Sequence, residues 1–154
     1  MGGHEQWLSE CEKLGYKPEA RLYAEGTRTS QDAADQLGCD GAHIAKSIVF
    51  AGQVGAVVVI TSGANRVERK RKLKRLLGYK PSMTDAEYII DSTGYAPGGV
   101  PPFGHMKPCT VLMDEDLMQY DLVWGAGGTA QTVFPITPED LLSLSGATVA
   151  DVKQ

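Results

Sequence analysis

The sequence predicts one α/β (α+β) domain, residues 1–154, in which a mixed, curled or barrel-like β-sheet is surrounded by helices. Three observations carry this prediction. Ile- and Val-rich runs outnumber what a simple alternation of strand and helix would give. Helix stop and start signals punctuate the chain at Gly15, Gly38, Gly78 and Thr137-Pro138. No linker, internal repeat or low-complexity stretch divides the 154 residues, and a chain of that length buries about 68–70% of its unfolded surface in one core.

The elements follow in order. Trp7, Leu8, Cys11 and Leu14 recur at helical spacing, so residues 5–14 predict a first helix that stops at Gly15. Arg21 to Glu25 reads as a short strand, and Ser30 can cap a second helix that runs through Leu37 to Gly38. His43–Phe50 and Ala56–Thr61, joined by Ala51-Gly52-Gln53, read as a central β-hairpin. Residues 65–77 predict a basic helix ending at Gly78, and Thr84-Asp-Ala-Glu87 is a capping-box sequence opening a shorter helix through Ile90. After a Gly/Pro loop at 94–105, strands are expected at 109–113, 120–124 and 130–134. A last helix starts at Thr137-Pro138-Glu139-Asp140, and residues 147–152 can add a strand.

Composition narrows the function classes. A hydrophobic share of 42% with 22% charged residues is that of a globular protein, not a disordered or fibrous one. The apolar stretch Val54–Thr61 is far short of the roughly 20 residues a membrane helix needs. The N-terminus lacks the basic-then-apolar pattern of a secretory signal, so the expected location is cytoplasmic. Cys11, Cys39 and Cys109 are odd in number and far apart, and His4, His43 and His105 form no ligand-spaced pair; reduced thiols, no metal and no cofactor are expected. Trp124-Gly-Ala-Gly-Gly-Thr-Ala130 superficially matches a dinucleotide fingerprint, but β-favouring residues and Pro135 follow where a helix is required. Ser47, Ser62 and Cys39 have no identifiable partners for a nucleophilic triad.

Four features could carry chemistry. Lys46 shares a strand face with Ile44, Ile48 and Phe50. An ammonium there must be paired, reach a cavity mouth or lose its proton, because burying it unpaired costs several kcal/mol; otherwise its stem lies along the core edge with the charge in water. Gly98-Gly-Val-Pro-Pro-Phe-Gly104 can form a stiff loop with accessible N–H groups that would suit a carbonyl or phosphate oxygen, although such clusters are usually plain turns. Residues 66–75 hold seven of the fifteen Lys and Arg residues and one acid, a local charge of +6 that leaves −10 for the rest of this chain of net charge −4. That concentration suits phosphate contact, with Arg71, Lys72 and Arg75 pointing away from Leu73, Leu76 and Leu77; a solvated helix face is the plainer reading. The glycines of the 125–128 turn can let a ligand approach the backbone.

Ile44-Ala-Lys46-Ser-Ile-Val-Phe50, the Gly98–Gly104 loop, and Gly125-Ala-Gly-Gly128 followed by Val133-Phe-Pro-Ile-Thr-Pro-Glu-Asp-Leu141 together resemble the YbaK family, related to the editing domain inserted in bacterial prolyl-tRNA synthetases. The resemblance runs from about residue 20 onward. It implies a single-domain deacylase that acts in trans, without a metal, on the acceptor end of mischarged tRNA, with tRNA-Pro carrying a small wrong amino acid as substrate and prolyl-tRNA synthetase as a possible partner. Lys46 stands at the family's functional lysine, which holds the 3′-terminal nucleotide. Gly98 and Pro102 match the Gly-x-x-x-Pro element whose backbone holds the carbonyl, and Gly99, Val100 and Phe103 fall within or beside it. Gly127, Gly128, Thr129, His105 and Met106 are expected around the pocket, and Arg71, Lys72 and Arg75 at the acceptor stem. The alternative is a noncatalytic regulator on the same fold that binds tRNA or protein.

Overall fold

Ala56–Ser62 is a β-strand in which every residue is buried. A near-continuous Val/Ile run of this kind needs cover on both faces. The computed structural model describes residues 2–22, Ala34, Leu37 and 39–154 and supplies that cover. In chain order the elements are helix α1 (Gly3–Lys13), β1 (Arg21–Leu22), a 3-10 turn (Gly41–His43), β2 (Ile44–Ala51), β3 (Ala56–Ser62), a π-helical turn (Arg69–Leu73) leading into α2 (Lys74–Leu77), α3 (Ala86–Thr93), β4 (Thr110–Asp114), a second 3-10 turn (Glu115–Gln119), β5 (Val123–Ala126), β6 (Thr132–Ile136), α4 (Pro138–Ser145) and β7 (Thr148–Ala150). The helix expected from Ser30 to Leu37 and the strand residues beyond Leu22 lie outside the described residues.

The seven strands form one mixed sheet in the order β1-β6-β5-β2-β3-β4-β7. β2 and β3 are the expected antiparallel hairpin, β2 runs parallel to β5, and β3, β4 and β7 are mutually parallel. The mixed sheet with outer helices expected from the sequence is therefore found, left open between β1 and β7 among the described residues. On one face Ala45, Val49, Val58 and Ile60 pack with Trp7, Phe103, Phe134 and Leu141. On the other, Phe50, Val57 and Val59 pack with Leu73, Leu112 and Val152. Both α2 and α3 end at a glycine in the left-handed region, Gly78 and Gly94.

Two local expectations are corrected. The basic helix does not start at residue 65. Glu68 accepts hydrogen bonds from the Arg71 and Lys72 N–H groups, and Val67 bridges to Lys153 as extended chain, so helical structure begins at Arg69 with a wide turn. Asp85, not Thr84, caps α3, its carboxylate accepting from Tyr88 N–H at 2.9 Å. Thr137 caps α4 as expected, accepting from Asp140 N–H at 3.2 Å.

The segment after β3 is held by one buried carboxylate. Asp114 accepts from Thr61 Oγ1 at 3.2 Å, Ser62 N–H at 3.1 Å, Asn65 Nδ2 at 2.8 Å and Asp116 N–H at 3.0 Å. Asn65 also reaches Asp116, which pairs with Lys153 at 2.7 Å. Replacing Asp114 by Ala would strand several buried donors. The expected destabilisation is about 2–4 kcal/mol, read as a lower urea midpoint at unchanged slope; an unchanged midpoint would show that the network holds nothing in place.

Candidate active site

Two loops meet on the Trp7 side of the sheet. The chain at 98–104 is clamped through its carbonyls: Tyr95 OH donates to Gly104 O at 2.8 Å, Trp7 Nε1–H to Phe103 O at 3.2 Å, and His105 Nε2–H to Pro101 O at 2.7 Å. Burial pushes the Tyr95 phenol up to about 12, so it remains a donor at neutral pH. With these carbonyls occupied, Val100 N–H has no acceptor among the described residues.

The facing turn is 125–129. A side chain at Gly99 would meet Thr129 Cα at 2.6 Å, and one at Gly125 would meet Pro102 Cδ at 3.3 Å. Only hydrogen at Gly99 allows the two backbones this approach. At Gly128 the backbone is left-handed (φ +100°) and a Cβ would collide with Gly3 O, so α1 closes the same junction, helped by His4 Nδ1 against Gly127 O at 2.7 Å.

Lys46 enters from the sheet. β2 pairs with β5 only at Ile44↔Trp124 and Ala45↔Gly125. From Lys46 onward β2 has no partner on that side among the described strands, and the Gly125–Thr129 turn departs at that point. Lys46 is exposed and forms no ion pair among the described residues. Of the three options for an ammonium on this face, it takes the cavity mouth, lining a cleft with Ile48, Phe50, Arg66 and Lys70. Lys46 thus stands on the face opposite the Gly98–Gly104 loop but beside the turn that packs on that loop.

The neighbouring Ser47 faces the loop side with Ala45 and Val49. Its Oγ is buried and unbonded among the described residues, and an unpartnered buried hydroxyl is an energetic liability unless a ligand uses it. By sequence alone Ser47 is a candidate only for a triad nucleophile. Strand alternation marks its face, but its lack of a partner required coordinates.

The remaining expected site residues are placed as follows. Gly98, Gly99, Val100, Pro102, Phe103, Gly127, Gly128 and Thr129 all belong to the two-loop junction. His105 supports the loop from behind, its ring lining a separate cavity against Glu10 and Lys13 of α1, and exposed Met106 packs beside Gly94. Arg71 and Arg75 are exposed on the outer surface, while Lys72 pairs with Asp151 at 2.7 Å. Burial raises the pKa of Cys11, Cys39 and Cys109, so none is poised as a thiolate. Among the described residues no cluster of three His, Cys, Asp or Glu side chains could hold a metal.

Lys46, in no ion pair among the described residues, thus stands beside the turn that packs on a clamped backbone loop, and no described cysteine is poised as a thiolate. The chain belongs to the aminoacyl-tRNA editing domain family, whose model matches residues 24–144, and it is an aminoacyl-tRNA deacylase, a hydrolase of the ester bond. It is 26% identical to the proposed Cys-tRNA(Pro)/Cys-tRNA(Cys) deacylase EbsC of Enterococcus faecalis, over 94% of this chain and 89% of that one. It is 29% identical to the uncharacterized protein YwhH of Bacillus subtilis, over 76% of this chain and 74% of the relative. The crystal structure of a proposed trans-editing enzyme for prolyl-tRNA synthetase superposes with a TM-score of 0.94 at 37% identity, covering 100% of this chain and 98% of that one.

Two outcomes test the junction. Gly99→Ala forces the loops apart, and overpacking of this kind costs about 1–3 kcal/mol; the variant should melt lower and lose turnover, whereas native turnover would show that the close approach is dispensable. Burial lowers the pKa of His105 from its ordinary 6.5. The unfolded chain therefore takes up this proton first as pH falls. The stability contributed by neutral His105 is full above pH 6.5 and is lost as pH falls through the depressed folded value. His105→Gln should flatten that part of the urea-midpoint profile between pH 7.5 and 5, and an unaltered profile would assign the acid sensitivity elsewhere.

Proposed function

We propose that the protein acts in trans on mischarged tRNA, removing a small wrong amino acid from tRNA-Pro. The observation that carries this reading is the loop clamped through the Pro101, Phe103 and Gly104 carbonyls, its Val100 N–H without an acceptor among the described residues, packed on the turn beside Lys46. In the reaction, water attacks the ester carbonyl carbon, the bond from that carbon to the ribose oxygen breaks, and the ribose oxygen takes a proton originating from water. Free amino acid and uncharged tRNA result.

Lys46 holds the 3′-terminal nucleotide through its phosphate, and the Gly98–Pro102 backbone holds the carbonyl. A ribose hydroxyl of the substrate helps activate water, which fits a site with no protein nucleophile at hand. Ser47 adds a hydroxyl on the loop side. A small pocket separates amino acids differing by one methylene by only about 1–3 kcal/mol, so an enzyme of this kind relies on the tRNA for part of its selectivity. The similarity to EbsC and to the prolyl-tRNA synthetase trans-editing enzyme supports tRNA-Pro and an association with that synthetase.

The test is deacylation of tRNA-Pro charged with Ala, Cys, Ser or Thr. At least one should be turned over by the native chain, with Lys46→Ala reducing kcat/KM by roughly 100-fold or more, the scale of losing one transition-state electrostatic partner. If no charged tRNA is turned over, the hydrolytic reading falls and a noncatalytic tRNA-binding role on the same fold takes its place.

A further inference from the structure

The cleft that Lys46 enters extends away from the two-loop junction, and its chemistry is that of a strand of nucleic acid. It encloses about 490 Å³, within the ~300–1,000 Å³ of small-ligand sites. Its floor is apolar, from Ile48 and the buried face of Phe50, with Met83 exposed at the rim. Its cationic side chains are Lys46, Arg66, Arg69 and Lys70, against one acidic side chain, Glu68, with Gln154 also on the wall. Glu68 is already committed to the Arg71 and Lys72 N–H groups, at 2.7 and 3.0 Å. Arg69 donates to Pro81 O at 2.9 Å, whereas Lys46, Arg66 and Lys70 form no ion pair among the described residues.

We propose that this cleft binds the single-stranded 3′ tail of the tRNA acceptor end, the nucleotides that precede the terminal adenosine. Arg66 and Lys70 contact their phosphates and the Ile48–Phe50 floor takes a base. The occupant's identity rests on the deacylase reading; the geometry adds where it lies. An apolar floor between unpaired cations fits a strand whose bases are unstacked and whose backbone is charged. A duplex is too wide to enter and meets the outer surface instead, where Arg71 and Arg75 are exposed. Because Lys46 lines the cleft beside the site, the tail runs with its 3′ end toward the Gly125–Thr129 turn. The wide turn at Arg69 produces this arrangement: a regular helix from residue 65 would carry Arg66 and Lys70 on helical spacing, rather than bring the extended Arg66 backbone beside residue 154 and over β2.

The experiment measures anisotropy of a labelled RNA acceptor-stem hairpin with a single-stranded CCA tail and of the same hairpin with a blunt end, over a salt series. The native chain should bind the tailed hairpin more tightly. Arg66→Gln/Lys70→Gln should abolish that preference and lower the salt slope by about 1.4, two phosphates at roughly 0.7 each for single strands. Arg71→Gln/Arg75→Gln should weaken both hairpins alike and keep the preference, which also shows that removing two charges from this segment does not itself erase it. The assignment is overturned if native protein binds the two hairpins equally, if Arg66→Gln/Lys70→Gln keeps the preference, or if an acidic peptide of matched charge displaces the tailed hairpin as well as unlabelled hairpin does. Turnover of charged tRNA without a tail preference overturns the cleft alone. A tail preference without turnover supports the cleft and counts against hydrolysis.

Discussion

A carboxylate buried as fully as that of Asp114 must be surrounded by donors, and this requirement shapes one half of the molecule. Water cannot solvate it, so the donors come from Thr61, Ser62, Asn65 and Asp116. Three of these lie at the end of β3 and in the turn after it. Satisfying Asp114 therefore bends the chain leaving β3 back toward β4, and the residues that follow, Arg66 to Lys70, pass over β2 rather than into solvent. Lys153 holds the same arrangement from the C-terminal side through Asp116, whose carboxyl it keeps below the usual range, and through the bridge to Val67. A core network thus positions a charged surface.

The other half depends on close approach rather than charge. Backbones come into contact at Gly99 and Thr129 and at Gly128 and Gly3, where no side chain fits. Trp7, Tyr95 and His105 then hold the loop by three of its carbonyls, while Gly99 N–H is used by Ala96 O and Val100 N–H has no acceptor among the described residues. Such an arrangement is pre-organised, and on the proposed reading little would reorder when a carbonyl oxygen arrives, the condition under which a few weak dipoles are effective catalytically. It also accounts for the tight packing of Trp7, Phe103 and Phe134, with ring centroids 4.5–5.8 Å apart, beneath the loop. The aromatic cluster is the base on which the loop is fixed.

These two halves differ in how far the residues alone disclose them. The β2–β3 hairpin, α1, α4 and its Thr137 cap were legible because each depends on local pattern: alternation, helical spacing, a capping hydroxyl. Lys46 was legible as an anomaly of alternation. The start of the basic helix was not, because its charged run satisfies helix propensity from residue 65 and the competing pairing, Val67 with Lys153, involves the far end of the chain, while Glu68 on the Arg71 and Lys72 amides then sets the local start. Thr84 matched a capping box while its neighbour Asp85 took the position. Ser47 was visible only as a possible nucleophile, since a missing partner is a property of the packed state. His105 was expected at the pocket because it is close in sequence to the loop, yet its ring is drawn behind that loop by Pro101 O.

The two halves meet where β2 loses β5. An aminoacyl-tRNA 3′ end is itself two-sided, with a polyanionic strand running one way from the terminal ribose and an uncharged ester the other way. On the proposed reading, a single binding surface would have to serve both, and a cationic lining near the ester would favour binding the ground-state phosphates without assisting the carbonyl. Splitting the tasks between the two faces of one sheet avoids that conflict. The strand that divides the faces carries Lys46 on one and Ser47 on the other, so on the proposed reading adjacent residues, separated only by the alternation of the chain, would address the phosphate and the acyl ends of the same substrate. β5 pairs with just two residues of β2 before Gly125 turns away. The early end of that pairing opens the edge through which such a substrate can reach both.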